Sequence, residues 1–158
     1  MKFINLFLCS FLCLSLRADS LTLGKVNGKL ANEKTFNTLA IEYSKSAVEL
    51  DHAHIVAQVG IIVDANESYS GHDFQYSAAS LGVNLEKSFK GLNYGLGASY
   101  KIGAYNAGYS HELKSYWNAN VSYNRGKYIV GYKFEQSFGK PQHYSVNKMN
   151  TFFVGVKF

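Results

Sequence analysis

Cysteine is absent from most of this chain. Both of its cysteines, Cys9 and Cys13, lie within the first twenty of 158 residues, and proline occurs once, at Pro141. Those first residues, MKFINLFLCSFLCLSLRADS, carry Lys2, an apolar-rich run from Phe3 to Leu16 and then small residues, which is the form of a secretory signal peptide. The run of about 14 residues falls short of the roughly 20 that a spanning helix needs. The small-x-small pattern of Ala18, Asp19 and Ser20 favours cleavage after Ser20 over cleavage after Ala18. Residues 1–20 are therefore expected to be removed and residues 21–158 to form one domain. Without cysteine, that domain has neither disulfide staples nor thiolate zinc sites.

Other absences narrow the function. There is no glycine-rich phosphate loop, no HExxH and no paired-carboxylate motif. Removing Lys2 and Arg17 lowers Lys plus Arg from 16 to 14 against an acidic total of 11, a balance too mild to argue for nucleic acid. No segment carries helical spacing.

What the chain does carry is alternation with a period of two, the spacing of strands with one dry face. From Leu92 to Ala104 the residues Leu92, Tyr94, Leu96, Ala98, Tyr100, Ile102 and Ala104 share one side, opposite Asn93, Gly95, Gly97, Ser99, Lys101 and Gly103. Trp117, Ala119, Val121 and Tyr123 repeat the split, as do Tyr128, Val130, Tyr132 and Phe134, and Ile55, Ala57, Val59, Ile61 and Val63. Strands are expected near 36–45, 54–65, 74–89, 92–105, 111–124, 127–138 and 149–158, with Leu21 to Val26 as an eighth. Phe74 and Tyr76 fall one step out of phase with Leu81, Val83 and Leu85, which suggests a bulge or a strand continuing above the apolar band. The turns after 89 and 124 read as short, and the connections near 65–73 and 139–147 as about nine residues long. Short periplasmic turns and long outer loops alternate in this way in an outer-membrane barrel. The connection near 46–53 should be short on this scheme and does not read as short.

The second face decides between a soluble and a membrane barrel. It holds Gly60, Gly82, Gly95, Gly97, Gly103, Gly131 and Gly155 beside Ser and Asn. Glycine weakens a strand and has no use on a wet surface, but it fits a lumen narrow enough to be filled by side chains. Glu42, Glu86, Lys101, Lys133, Glu135 and Lys157 share that face, a balanced set expected to pair as a structural plug, with an ion path as the alternative. On the apolar face Tyr94, Trp117, Tyr123, Tyr128, Phe138, Phe152 and Phe158 sit towards strand ends, where amphipathic rings meet lipid headgroups.

The last residues, TFFVGVKF from Thr151 to Phe158, alternate apolar positions back from a terminal aromatic. They resemble the closing strand of bacterial outer-membrane β-barrel proteins. By size the chain is similar to the small eight-stranded group, comprising the OmpA transmembrane domain, OmpX and the opacity-like proteins. The resemblance implies an all-β protein, an antiparallel up-and-down transmembrane β-barrel of about eight strands, monomeric, in the outer membrane of a Gram-negative bacterium. It also implies contact with outer-membrane lipids and lipopolysaccharide, and recognition of Phe158 by the barrel assembly machinery.

Chemistry is thinly represented. His143 and Ser145, two apart in HYS, resemble the His-x-Ser element of the lipid A 3-O-deacylase family, but that triad needs a downstream carboxylate and no Asp or Glu follows Ser145. His52 and His54, near Glu49 and Asp51, read as solvated turn residues before metal ligands. Lys25, Lys29 and Lys34 in a first loop, with Lys140 and Lys148 flanking the last, are candidates for lipopolysaccharide phosphates. No residues are put forward as catalytic, cofactor-binding or metal-binding. The expected role is structural or surface interaction, ahead of a narrow pore and of a lipid A-modifying hydrolase.

Overall fold

The computed structural model describes residues 19–31, 33–69, 72–105, 110–139 and 145–158, with the side chains at 64–69, 72–75, 104–105 and 110–112 outside that description. Among the described residues the regular elements are eight strands: β1 (Ser20–Leu30), β2 (Thr35–Leu50), β3 (Ala53–Tyr69), β4 (His72–Phe89), β5 (Leu92–Tyr105), β6 (Ser110–Arg125), β7 (Tyr128–Ser137) and β8 (Val146–Lys157). Each pairs antiparallel with the next, and β8 pairs with β1, so the sheet closes. Closure removes the two edges that an open sheet would leave unpaired.

Three two-residue turns, 51–52, 90–91 and 126–127, gather at one end with both ends of the described chain, called here the turn end. The connections at the other, loop end span 31–34, 70–71, 106–109 and 138–145. In the tightest turns Lys90 and Gly91 take φ of 49° and 86°, and Gly126 takes 61°, the left-handed conformations that such reversals require.

Several expectations need correction. β1 is a full strand from Ser20 to Leu30, so Lys25 and Lys29 lie on the barrel wall and not in a loop. The connection near 46–53 is short after all, because β2 runs on to Leu50 and reverses through Asp51 and His52. The connection near 65–73 is not nine residues long: β3 and β4 continue as a paired ribbon to Tyr69 and His72. Of the two readings of Phe74 and Tyr76, the continuing strand holds and a bulge in β4 does not, since β4 runs through both from His72. Tyr76 lies in the lumen in phase with Ala78 and Ser80, and the register shift sits across from it in β3, between Ile62 and Ala65. Phe74 pairs through its backbone with Glu67, and its side chain lies outside the described set.

The alternation maps onto the wall as expected. Leu96, Val121, Val130 and Val154 are exposed outward, while Asn93, Ser99, Lys101, Lys133 and Glu135 are buried within. Small residues are a steric requirement at the crowded positions. A Cβ on Gly131 would come 2.5 Å from the Phe153 ring and 2.7 Å from Ser122 Cβ. One on Gly28 would run into the Phe36 ring. Trp117, the single tryptophan, is 36% exposed on the outer wall and tilts against Phe134 with centroids 5.1 Å apart. After reconstitution its fluorescence should be quenched by brominated acyl chains and not by iodide in the buffer. The reverse pattern would show that the apolar wall does not face lipid.

Candidate functional site

The lumen has three layers, each built by inward positions of several strands. Nearest the turn end is an open polar cavity of about 330 Å³. His54, Glu86, Asn120 and Lys157 are among its lining residues. Asn120 Nδ2 donates to Glu86 Oε1 at 2.8 Å, and His54 Nε2 lies 3.8 Å from Glu86 Oε2. Lys157 is exposed on the lining of this cavity.

Above it sits an ion cluster. Lys133 Nζ donates to Glu42 Oε2 at 2.6 Å and to Gln58 Oε1 at 3.1 Å, and lies 3.9 Å from Glu135 Oε1. Lys101 Nζ contacts Glu135 Oε1 at 3.1 Å, with both side chains only 4% exposed. Ser99 donates a further hydrogen bond to Glu135 at 2.9 Å, and the Lys101 ammonium stands 5.6 Å from the Tyr116 ring centroid. Charges this deep persist because each has opposite charge and hydrogen bonds around it. Of the six charged residues expected to pair, four form this network. Glu86 takes Asn120 and His54 in place of a lysine.

The third layer, towards the loop end, is apolar. Val26, Leu30, Phe36, Ile62, Tyr76, Ala78, Tyr116, Val146 and Met149 form one buried cluster from six strands. The Phe36 and Tyr76 rings meet edge to face at 5.6 Å, and the Tyr116 hydroxyl donates to Val146 O at 3.0 Å. Between plug and ions the free space is about 30 Å³, room for about one water. The lumen is therefore blocked twice. Lower down, Asn84 and Asn118 flank Gly97 in neighbouring strands, fully buried, with amides that find no partner among the described residues.

The remaining sequence candidates separate. Ser145 is buried; its hydroxyl accepts from Lys114 Nζ at 2.7 Å and its carbonyl from Ala31 N at 3.0 Å, so it straps the last loop to the barrel. His143 and Lys140 lie outside the described residues. His52 is exposed in the turn, whereas His54 faces Glu86, and among the described residues no three potential metal ligands converge. Lys25, Lys29 and Lys148 share the outer wall of β1 and β8, and Lys29 pairs with Glu33. The Lys29 hydrogen bond and charge hold that exposed loop carboxyl below its ordinary range.

Sequence reasoning missed the plug. Its residues come from inward positions assumed to be small or polar, and only the phase of Tyr76 betrayed one of them.

Closure, strand number and direction place the chain among eight-stranded antiparallel barrels. No family model matches it, and no curated protein does. Among solved structures it is similar to Ail, the attachment invasion locus protein of Yersinia pestis, in complex with the heparin analogue sucrose octasulfate. The TM-score is 0.56 at 14% identity, over 88% of this chain and 97% of that one. Ail alone gives 0.54 at 12% identity over the same shares. Neisserial surface protein A gives 0.56 at 13%, over 88% and 95%. At such identities the shared property is the fold.

Removing one partner of a buried ion pair costs about 3–5 kcal/mol, whereas replacing both by apolar groups is often neutral. Glu135→Gln should therefore lower the denaturant midpoint of the refolded barrel markedly, and Lys101→Met with Glu135→Leu should recover much of it. Equal midpoints for wild type and Glu135→Gln would show that the cluster is not structural.

Proposed function

We propose that the protein is a monomeric integral outer-membrane barrel with a structural or surface-interaction role, neither conducting ions nor catalysing a reaction. The observation that carries the reading is the doubly blocked lumen, because an apolar plug behind a saturated ion cluster leaves no continuous wet path. The outward apolar wall with aromatics near strand ends supports insertion in lipid, and the three two-residue turns gathered at one end support a periplasmic turn end. The solved neighbours, a protein named for attachment and invasion and a neisserial surface protein, support a role at the cell surface. Among the described residues the open polar cavity at the turn end favours a pore, and it ends at Lys133 and Glu42. The hydrolase reading has less behind it, since the Ser145 hydroxyl is buried against a lysine.

Planar-bilayer recordings of the purified protein should show no single-channel steps. Discrete currents at neutral pH would overturn the non-conducting reading. Lipid A from cells carrying Ser145→Ala should match wild type in its mass spectrum, and loss of a modified species would restore the hydrolase.

The chain ends also bear on processing and assembly. Asp19 N donates to Ser44 O at 2.9 Å, Phe158 N to Asp19 O at 3.0 Å and Ser46 N to Asp19 Oδ2 at 2.6 Å. Cleavage after Ser20 would discard these bonds and the first residue of β1, so a mature chain beginning at Asp19 fits the barrel better. N-terminal sequencing of the exported protein should read DSLTL, and LTLGK would refute this. Phe158, 76% exposed at the outer wall, is free to meet the assembly machinery. Deleting it should cut insertion in cells while leaving refolding into detergent intact; an equal loss in both would make its role purely structural.

A further inference from the structure

The cavity at the turn end is open at its mouth and closed at its inner end by Lys133 and Glu42. Its volume, about 330 Å³, falls in the range of small-ligand sites. The charges that line it do not all find partners. Glu42 and Lys133 neutralise each other, Asp19 Oδ2 accepts from Ser46 N at 2.6 Å, and Lys45 occupies an outward position level with Ala57. That leaves Glu86 and Lys157. Among the described residues no lysine or arginine forms an ion pair with Glu86, and no carboxylate forms one with Lys157.

Both groups are placed to meet a ligand. Glu86 of β4 is 15% exposed, and its Oε1 is held at 2.8 Å by the Asn120 amide of β6. The strand between them supplies Gly95, and a Cβ there would come 2.8 Å from both Asn120 Oδ1 and Glu86 Cγ. Glycine makes room for the bond that fixes the carboxylate. Its Oε2 turns to His54, too far away at 3.8 Å for a hydrogen bond. Lys157 of β8 has the luminal phase of Thr151 and Phe153 and is exposed on the cavity lining. In a ring of eight, β4 and β8 are four strands apart, so the two charges rise from opposite walls. Between them Ser88, Asn93 and Ser122 form a hydrogen-bonded chain, while Val56, Ile129 and Phe153 are apolar. Asn124 lines the same space, and its buried Oδ1 has no partner among the described residues.

We propose that this cavity binds a small zwitterion of dipeptide length, with its ammonium at Glu86 and its carboxylate at Lys157. A ligand of one sign would leave one of the two groups unanswered. A single amino acid, whose charges are two bonds apart, is too short to reach both walls. A peptide link between the charges adds an N–H donor for the Asn124 oxygen, and an apolar side chain suits Val56, Ile129 and Phe153. The site needs only the closed barrel, so it stands or falls apart from the structural and surface roles proposed above. Hydrogen bonds to charged groups are strong enough that losing either ionic contact weakens binding about tenfold or more.

Isothermal titration calorimetry of the full mature chain in non-ionic micelles tests it, at pH 8 where imidazole groups are neutral. The probes are alanyl-leucine, its N-acetyl form, which lacks the ammonium, and its C-terminal amide, which lacks the carboxylate. One-to-one binding of the free dipeptide is expected, with each blocked form about tenfold weaker or more. Glu86→Gln should erase the preference for the free amine and keep that for the free carboxylate; Lys157→Gln should do the reverse. Lys25→Gln, on the outer wall, should change neither. Heats no different from those of empty micelles would overturn the proposal, as would equal affinity of the wild type for all three probes, a comparison that needs no variant. So would a Glu86→Gln protein, folded by its heat-modifiable migration, that still discriminates the amine. Failure of the wild type to enter vesicles with dipeptide binding intact would sink the membrane reading and leave this site standing.

Discussion

Everything in this molecule depends on the pairing of β8 with β1. In hydrocarbon an unpaired backbone amide or carbonyl has no water to turn to, so a sheet survives there only as a closed ladder. Here the last seam joins Ser20 to Lys157 and continues to Leu30 and Val146. Asp19 and Phe158 extend it by one more backbone bond. Because the seam unites the two ends of the described chain, the barrel cannot finish folding until β8 is made, a long-range contact of the kind that slows folding.

Once closed, eight strands enclose a lumen too narrow to stay empty and too dry to leave charges alone. The chain meets both constraints differently along the axis. Towards the turn end the space is open and holds scattered polar groups. In the middle two lysines and two glutamates neutralise one another. Towards the loop end aromatic and aliphatic side chains fill the section, as in the core of a soluble protein.

Much of this was legible from alternation. The facing of Leu92 through Ile102, of Trp117 through Tyr123 and of Tyr128 through Phe134 followed from period two, because one face lies outside the closed sheet and the other within it. The luminal glycines were legible for the same reason: Gly97 and Gly131 lie where neighbouring side chains leave no room for a Cβ. Legibility failed where both faces are dry. Val26, Phe36, Ile62 and Tyr76 are apolar and point inward, so period two could not separate them from the outward face. It failed in part for β1, expected only from Leu21 to Val26, because outward Lys25, Asn27 and Lys29 broke the pattern and hid the rest of the strand.

By itself the sequence determined the strand period and the class of barrel, since each is a local regularity of neighbouring residues. The tertiary structure alone decided which charges pair, that Ser145 is held by Lys114, and that Lys25 stands level with Leu39 and Phe152. Those facts depend on register between strands far apart in the chain, and register is fixed by closure of the whole ring, not by any one of its segments.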